Sequence, residues 1–332
     1  MRIAIEGCAA VGSFGFGRRA FARALETPPQ PEYATGNTSV LPKADVSIVA
    51  SYVQARALRQ VDHFTRMALI GAFAALADAG REPEDMRDQG LVVASGYGPA
   101  QMTFAFLDSI EDHGANMASP LAFSFSVHNI PAANVALKLG MAGPCATVCQ
   151  FESSVASALL TAAAWLAEGR VSRVLFGAVD ELTPVLAATT ARFTRAENSG
   201  DSCGRRDLPL GEGAAFFCLS LDNGAGAAGA KAVIENISLR GTRQSQQETC
   251  VPEPPAIKYH SGSLRGLPEP LRAAAMRRIA AYGSIPVAQA FDMYAATLAL
   301  ENGDARQIIC ASSAPGGAES AITLTAPGVS GK

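Results

Sequence analysis

The chain has 332 residues, 48% hydrophobic and 17% charged, with a formal net charge of −3. That length suits one large or two medium domains, and a near-neutral chain with no basic stripe excludes an electrostatic footprint for nucleic acid. No apolar run approaches the roughly 20 residues that a membrane-spanning helix needs.

The start, Met1 to Gly7, lacks the apolar centre of a signal peptide and reads as a first strand, so a cytoplasmic protein is expected. The cysteines, Cys8, Cys145, Cys149, Cys203, Cys218, Cys250 and Cys310, are scattered and odd in number. They form no CxxC pair or Cys/His cluster of zinc spacing, so no metal is expected and most should be buried small hydrophobes.

The alternating residues 1–10 predict a strand that turns at Gly12 to Gly17, and residues 18–25 a short helix. The glycine turn lacks both GxGxxG and a Walker lysine, so no nucleotide is expected there. Residues 27–45 read as a loop. A helix is predicted over 62–80, capped by Asp62 and stopped by Gly80, with Met67, Leu69, Ile70, Phe73, Ala74 and Leu76 on its apolar face. His63, just after the cap, is expected on the surface. Gly90 to Gly96 is a short buried strand, and a helix around 100–112 follows. Asn129 to Gly140 is another helix, with Pro131 in its first turn.

A strand over 144–150 leads into a helix over 153–168 that ends at Gly169. Val171 to Val179 is a further strand, closed by Asp180 and Glu181, where structural hydrogen bonding is expected. Residues 195–210 are loop-like. Strands follow at Gly213 to Leu221 and Lys231 to Leu239. The stretch 242–270 has little periodicity and is long for a loop in a compact domain, which marks either a functional loop or an eroded element. A helix over 286–301 and strands over 306–311 and 318–324 close the chain. Each half begins with a strand and ends in helix–strand–strand order, which suggests an internal α/β duplication: residues 1–222, then a shorter half, 223–332.

The stretch Gly143 to Ser154 carries the most chemistry. An apolar strand runs into a sharp turn and then a helix, so one side chain is presented at a helix N-terminus, where free N–H groups and the dipole favour negative charge. That side chain is Glu152, a carboxylate that can serve as a base or a charge but is a poor acyl carrier.

The order of several segments resembles the β-ketoacyl synthases of the thiolase fold. They are Arg59-Gln60-Val61-Asp62 leading into Ala68 to Gly80, Gly90 to Gly96, Asn129-Ile130-Pro131-Ala132-Ala133, Leu139 to Pro144, Gly177 to Glu181, Gly211-Glu212-Gly213-Ala214-Ala215, and Gly316-Gly317-Ala318-Glu319-Ser320. The resemblance spans nearly the whole chain. It implies a five-layer α-β-α-β-α fold built from two pseudo-duplicated halves, and a dimer joined edge to edge through the strand before the elbow. Pro144, Cys145, Thr147, Cys149 and Gln150 would lie at that interface. It also implies acyl carrier proteins as partners, delivering acyl chains on phosphopantetheine, with no cofactor held by the chain itself.

The same resemblance locates what is missing. The family's acyl-accepting cysteine falls at Glu152, its second histidine at Ser284 after Gly283, and its supporting lysine at Ile279. The first histidine's loop is missing or shortened; His260 occurs in that region without the family pattern. The phenylalanine that gates the pocket is replaced by Ala314-Pro315. His128 and Phe151 are further pocket candidates, although His128 could equally pack the start of its helix.

Joint loss of the catalytic set suggests a chain-length-factor-like member. Such a protein pairs with an active ketosynthase and shapes the acyl tunnel in type II polyketide, aryl polyene or fatty-acid-like synthesis. Glu152 itself has three open roles: a base, a salt bridge to the partner, or a remnant, with Arg192 and Arg195 as candidate partners. The alternatives are a stand-alone acyl-thioester decarboxylase or hydrolase using Glu152, with His260 or Ser284, and a non-catalytic homodimeric binding protein.

Overall fold

The computed structural model describes residues 1–28, 41–196, 209–222, 229–241, 257–262, 264, 267–314 and 317–328. Its strands are β1 (Ile3–Gly12), β2 (Gly15–Phe16), β3 (Gly90–Ser95), β4 (Cys145–Cys149), β5 (Arg173–Asp180), β6 (Gly213–Leu221), β7 (Ala232–Arg240), β8 (Ile257–Gly262), β9 (Gln307–Ser313) and β10 (Glu319–Thr325). The helices are α1 (Gly17–Glu26), α2 (His63–Asp78), α3 (Ala100–His113), α4 (Pro120–Phe125), α5 (Ile130–Leu139), α6 (Ser154–Ala167), α7 (Pro184–Ala196), α8 (Glu269–Tyr282) and α9 (Ala288–Glu301).

The strands lie in the order β4-β3-β5-β6-β1-β7-β10-β9-β8, with β2 folded back on β1. β1 pairs with β6 along its whole length but with β7 only over Ile3–Ile5. The sheet therefore splays at β1 into two half-sheets. The second repeats the first: β3-β5-β6-β1 matches β8-β9-β10-β7, with β3–β5 and β8–β9 parallel. β4 has no counterpart in the second half among the described residues.

Strand alternation sorts side chains into two cores. Val92, Ala94, Phe176 and Phe217 join Leu159 of α6 and Phe291 of α9 in one core. Leu91, Val93, Leu175 and Phe216 join Phe64 and Met67 of α2 in the other. Helices α6 and α9 fill the space between the half-sheets: α6 touches β3 and β5 on one side and β7 and β10 on the other, and α9 spans β1 and β6 to β8, β9 and β10. Helices α2 and α5 cover the outer face of the first half. This is the thiolase-like α/β architecture that the sequence led us to expect. On the second half, α8 lies on the inner face, where the Arg278 guanidinium sits 4.1 Å over the ring of Tyr259 and Tyr282 stacks on Phe21 and Phe291.

Most predicted elements are present within a few residues. Asp62 caps α2 by accepting the Thr65 N–H at 3.1 Å. The low-periodicity stretch 242–270 conceals β8 and the first residues of α8. α8 escaped notice because its apolar face is narrow (Ala275, Ile279, Tyr282) and interrupted by arginines. α4 and α7 were also not anticipated.

β1 and α2 approach closely at Gly7, where a Cβ would lie 2.4 Å from the backbone N of Ala79. Because the obstacle is backbone, the helix would have to retreat. Gly7→Ala is therefore expected to destabilise the fold by about 1–3 kcal/mol, the range for overpacking a core, read as a lowered urea midpoint at unchanged m-value. An unchanged midpoint would show that the contact is looser than described.

Candidate functional site

Among the described residues, β4 is an edge strand that pairs only with β3. Beyond Cys149 the chain makes the expected elbow. Phe151 has φ 47°, making it the only non-glycine residue in the left-handed region among the described residues. For a bulky side chain that conformation is strained by roughly 1–3 kcal/mol, and it persists only where surrounding contacts hold it. Ser154 supplies such contacts: its hydroxyl accepts the Gln150 N–H at 2.7 Å and lies 2.8 Å from the Ser95 carbonyl, to which it donates. Glu152 turns inward and is 9% exposed, whereas Phe151 is 60% exposed. Here the structure differs from the sequence reading: the side chain that the strained turn presents outward is Phe151, one residue before the carboxylate.

The elbow and the entry to α9 both reach the C-terminal ends of β3 and β5. Asp180, fully buried, accepts hydrogen bonds from Ser95 Oγ (2.7 Å), Gly96 N (2.9 Å) and Tyr97 N (3.0 Å), and from the Val287 N–H. Burial pushes its carboxyl up to about 6 in spite of these donors. Pro286 sits so close to Gly96 that a Cβ there would be 2.1 Å from the proline Cβ. Just before it, Gly283 takes φ +85°, and Ser284 is held by its N–H donating to Pro209 O at 2.6 Å.

Ile279 is buried in the core of α8. The charged residue there is Arg278, with Nε 3.3 Å from Asp292 Oδ1, an oxygen that also accepts Tyr282 Oη at 3.0 Å. Sequence reasoning missed this ion pair. Its one visible signal was an acid, Asp292, inside an otherwise apolar helix.

His260 lies on the opposite face of β8 from Tyr259 and Ser261, which meet α8 and α9. Its Nε2 is 3.4 Å from Ser313 Oγ. Glu152, Ser284 and His260 thus occupy the start of α6, the approach to α9 and the outer face of the second half-sheet. Ala314 sits in the β9–β10 turn, its N–H donating to Ala318 O at 2.8 Å; Pro315 lies outside the described residues. His128 is exposed and packs over Gly98, where a Cβ would meet its ring at 2.4 Å. Arg192 is exposed on α7, and the side chain of Arg195 lies outside those described.

Of the cysteines, Cys8, Cys218 and Cys310 are buried as expected, but Cys145 and Cys149 are exposed. Exposed apolar side chains of the same half include Tyr97, Leu107, Met117, Leu121, Phe123, Val127, Leu137 and Phe151. Tyr97 meets Phe151 edge-on at 6.4 Å, α3 and α4 pack together through Phe106 and Phe123, and α5 borders β4. An apolar rim of this kind marks an interaction surface.

A second polar cluster braces the first half. Glu212, fully buried, accepts from Ala44 N (2.7 Å), Leu182 N (3.0 Å), Lys43 Nζ (2.9 Å) and His63 Nε2 (2.6 Å). Burial pushes its carboxyl up, but His63, Lys43 and Ala44 outweigh that and hold it below the usual range. His63, expected on the surface, is therefore tied to the interior. Nearby, Glu181 accepts the Gln101 N–H at 2.8 Å at the start of α3. Burial, together with the negative charges of Asp62 and Glu212, pushes its carboxyl up to about 7. No group of three metal-binding side chains occurs among the described residues, and no helix there is long and apolar enough to cross a membrane.

Because the Glu181 carboxyl is raised in the folded chain, its contribution to stability is complete below about 4.5 and is lost as pH rises through about 7. Glu181→Gln keeps an acceptor for Gln101 and removes the titration. Relative to this variant, the wild type should lose on the order of 3 kcal/mol between about pH 4.5 and pH 8, followed by urea denaturation across that window. Parallel pH profiles for the two proteins would contradict the assignment.

Comparison with known proteins places this geometry in a family. Residues 36–220 match the family model described as the β-ketoacyl synthase N-terminal domain. The chain is similar to 3-oxoacyl-[acyl-carrier-protein] synthase 2 of Rhizobium meliloti (strain 1021), at 28% identity over 202 residues, 56% of this chain and 48% of that protein. The chain thus matches about half the length of that curated relative. Three solved structures share the fold, each covering 98% of this chain and 99% of its own. They are the ishigamide ketosynthase/chain length factor (TM-score 0.74, 19% identity), the AntDE:AntF complex of a type II polyketide synthase acyl-carrier protein with its ketosynthase (0.76, 17%) and a β-ketoacyl synthase from Burkholderia phymatum STM815 (0.67, 17%). The chain belongs to the β-ketoacyl synthase family.

Proposed function

We propose that this chain is a condensation-inactive, chain-length-factor-like subunit. It pairs with an active ketosynthase and completes that partner's acyl tunnel in type II polyketide, aryl polyene or fatty-acid-like synthesis. Its second partner is an acyl carrier protein, which brings the growing chain on phosphopantetheine; the chain holds no cofactor of its own and works in the cytoplasm. The observation that carries this reading is an elbow kept in strained backbone form but filled by Phe151 and Glu152, beside an unpaired strand edge and an apolar rim. Condensation needs a nucleophile to accept the acyl group and preorganised donors for the developing enolate. Neither a thiol nor an imidazole stands at the elbow residues Gln150 to Ser154.

The solved ketosynthase/chain length factor and the ketosynthase bound to its carrier protein share this fold, which supports the same roles here. A stand-alone reaction would ask Glu152 to work with Ser284 or His260, and His260 faces away from the layer that contains α6 and α9.

Two outcomes test the proposal. The chain alone should form no condensation product from acyl- and malonyl-loaded carrier protein, while an active ketosynthase from the same organism should gain activity or change product length when the two are mixed. Malonyl decarboxylation by the chain alone, abolished in Glu152→Gln, would instead establish the stand-alone enzyme. At the interface, Phe151→Asp replaces a central apolar anchor with a desolvated charge. It should weaken association by at least about 100-fold, as loss of a hot-spot residue does, measured by titration of the two subunits. Unchanged affinity would remove Phe151 from the interface.

A further inference from the structure

The helical hairpin α3–α4 is scarcely buried. Of α3 only Ala100 is buried and of α4 only Ala122, although the two carry Phe104, Phe106, Leu107, Ile110, Leu121 and Phe123. They pack chiefly on each other, with the rings of Phe106 and Phe123 5.2 Å apart. A segment with so few buried contacts opens locally at low free energy. Its entry is the turn at residues 96–99. There Gly98 takes φ +67°, donates its N–H to Ser95 Oγ at 2.9 Å and lies under the His128 ring. Beyond that turn one contact ties α3 down: the Gln101 N–H donates to Glu181 Oε1 at 2.8 Å. Among the described residues it is the only hydrogen bond from residues 99–126 to a sequence-distant part of the domain.

Glu181, only 3% exposed, is enclosed by other charged groups. Asp62 and His63 face it from the start of α2, Lys43 from the segment before that helix, and Glu212 from the approach to β6. Both cations are engaged by Glu212, His63 at 2.6 Å and Lys43 at 2.9 Å. Asp180, next to Glu181 in sequence, is turned to Ser95 and Gly96. An ionised Glu181 therefore sits near two further carboxylates, with one N–H donor of its own. The N-terminus of α3 favours that charge, but enclosure away from water costs more than one donor returns.

We propose that Glu181 and the first turn of α3 form a proton-controlled hinge. Protonated, Glu181 seals the base of the α3–α4 hairpin. When its proton passes to solvent, the carboxylate favours a state in which the hairpin swings about Gly98 and water reaches the charge. The sign follows from linkage. The sealed carboxyl titrates at about 7, and one open to water has the ordinary value of 4.5. Opening is therefore rarest below about pH 4.5, grows by up to about tenfold per pH unit above it, and levels off beyond about pH 7. Near neutral pH the hairpin, which carries Leu107, Met117, Leu121 and Phe123 of the apolar rim, opens most often. Acidification locks it. The hinge belongs to the single chain and needs no partner subunit.

The test follows the full-length chain by hydrogen–deuterium exchange and mass spectrometry between about pH 5 and about pH 9. Rates are corrected for the intrinsic pH dependence of amide exchange. Labelling times are those at which the core helix α6 stays protected, so that global unfolding does not contribute. Opening read from peptides over Gln101 to Leu107 should rise on the order of 50-fold from pH 5 to pH 8 and then level off. In Glu181→Gln, which keeps an acceptor for the Gln101 N–H and carries no charge, the same peptides should show no such rise. A flat profile in the wild type would overturn the hinge without recourse to the variant. An equal rise in both proteins would overturn Glu181 as the group that controls it.

Discussion

The site depends on one buried carboxylate. Asp180, at the end of β5, gathers the hydroxyl of Ser95, the N–H groups of Gly96 and Tyr97 and the N–H of Val287. These groups come from the turn after β3 and from the entry to α9, so one side chain joins the two halves where the functional elements converge. A buried carboxylate is tolerable only when donors of this kind surround it. With that junction fixed, Ser154 can hang the elbow from the Ser95 carbonyl, and Pro286 can close against Gly96.

Around this junction the chain keeps the family's fold, with Phe151 and Glu152 at the elbow. The strained elbow persists with a phenylalanine at its apex. Ile279 is sealed in the core, while the neighbouring Arg278 is engaged with Asp292. On the function proposed above, the strained turn is a rigid way to hold an aromatic ring beside a strand edge. Rigid aromatic anchors lose little conformational entropy on association, which is why they dominate interface energetics.

Much of the fold was legible because local signals agreed with tertiary demands. Asp62 and Gly80 bracket α2, and the apolar runs of β3 and β5 declare strands covered on both faces. The repeat of strand order could be suspected from the element sequence alone. α8 was not legible, since Ala and Arg residues give it weak periodicity and its partner Phe21 lies far away in sequence. At the site, the residue types of the elbow, Gln150 to Ser154, were legible without the structure. Which elbow residue faces outward was not, because that depends on a single φ value that Phe151 and Glu152 could have exchanged. His63 likewise read as a surface residue, since nothing nearby in sequence announces Glu212 as its partner.

The central claim is that this chain acts through a partner. Its most direct test is the native mass of the complex recovered when the chain is co-expressed with an active ketosynthase from the same organism. The account predicts a complex holding one copy of each chain. Recovery of two separate homodimers, with the ketosynthase fully active alone, would contradict it.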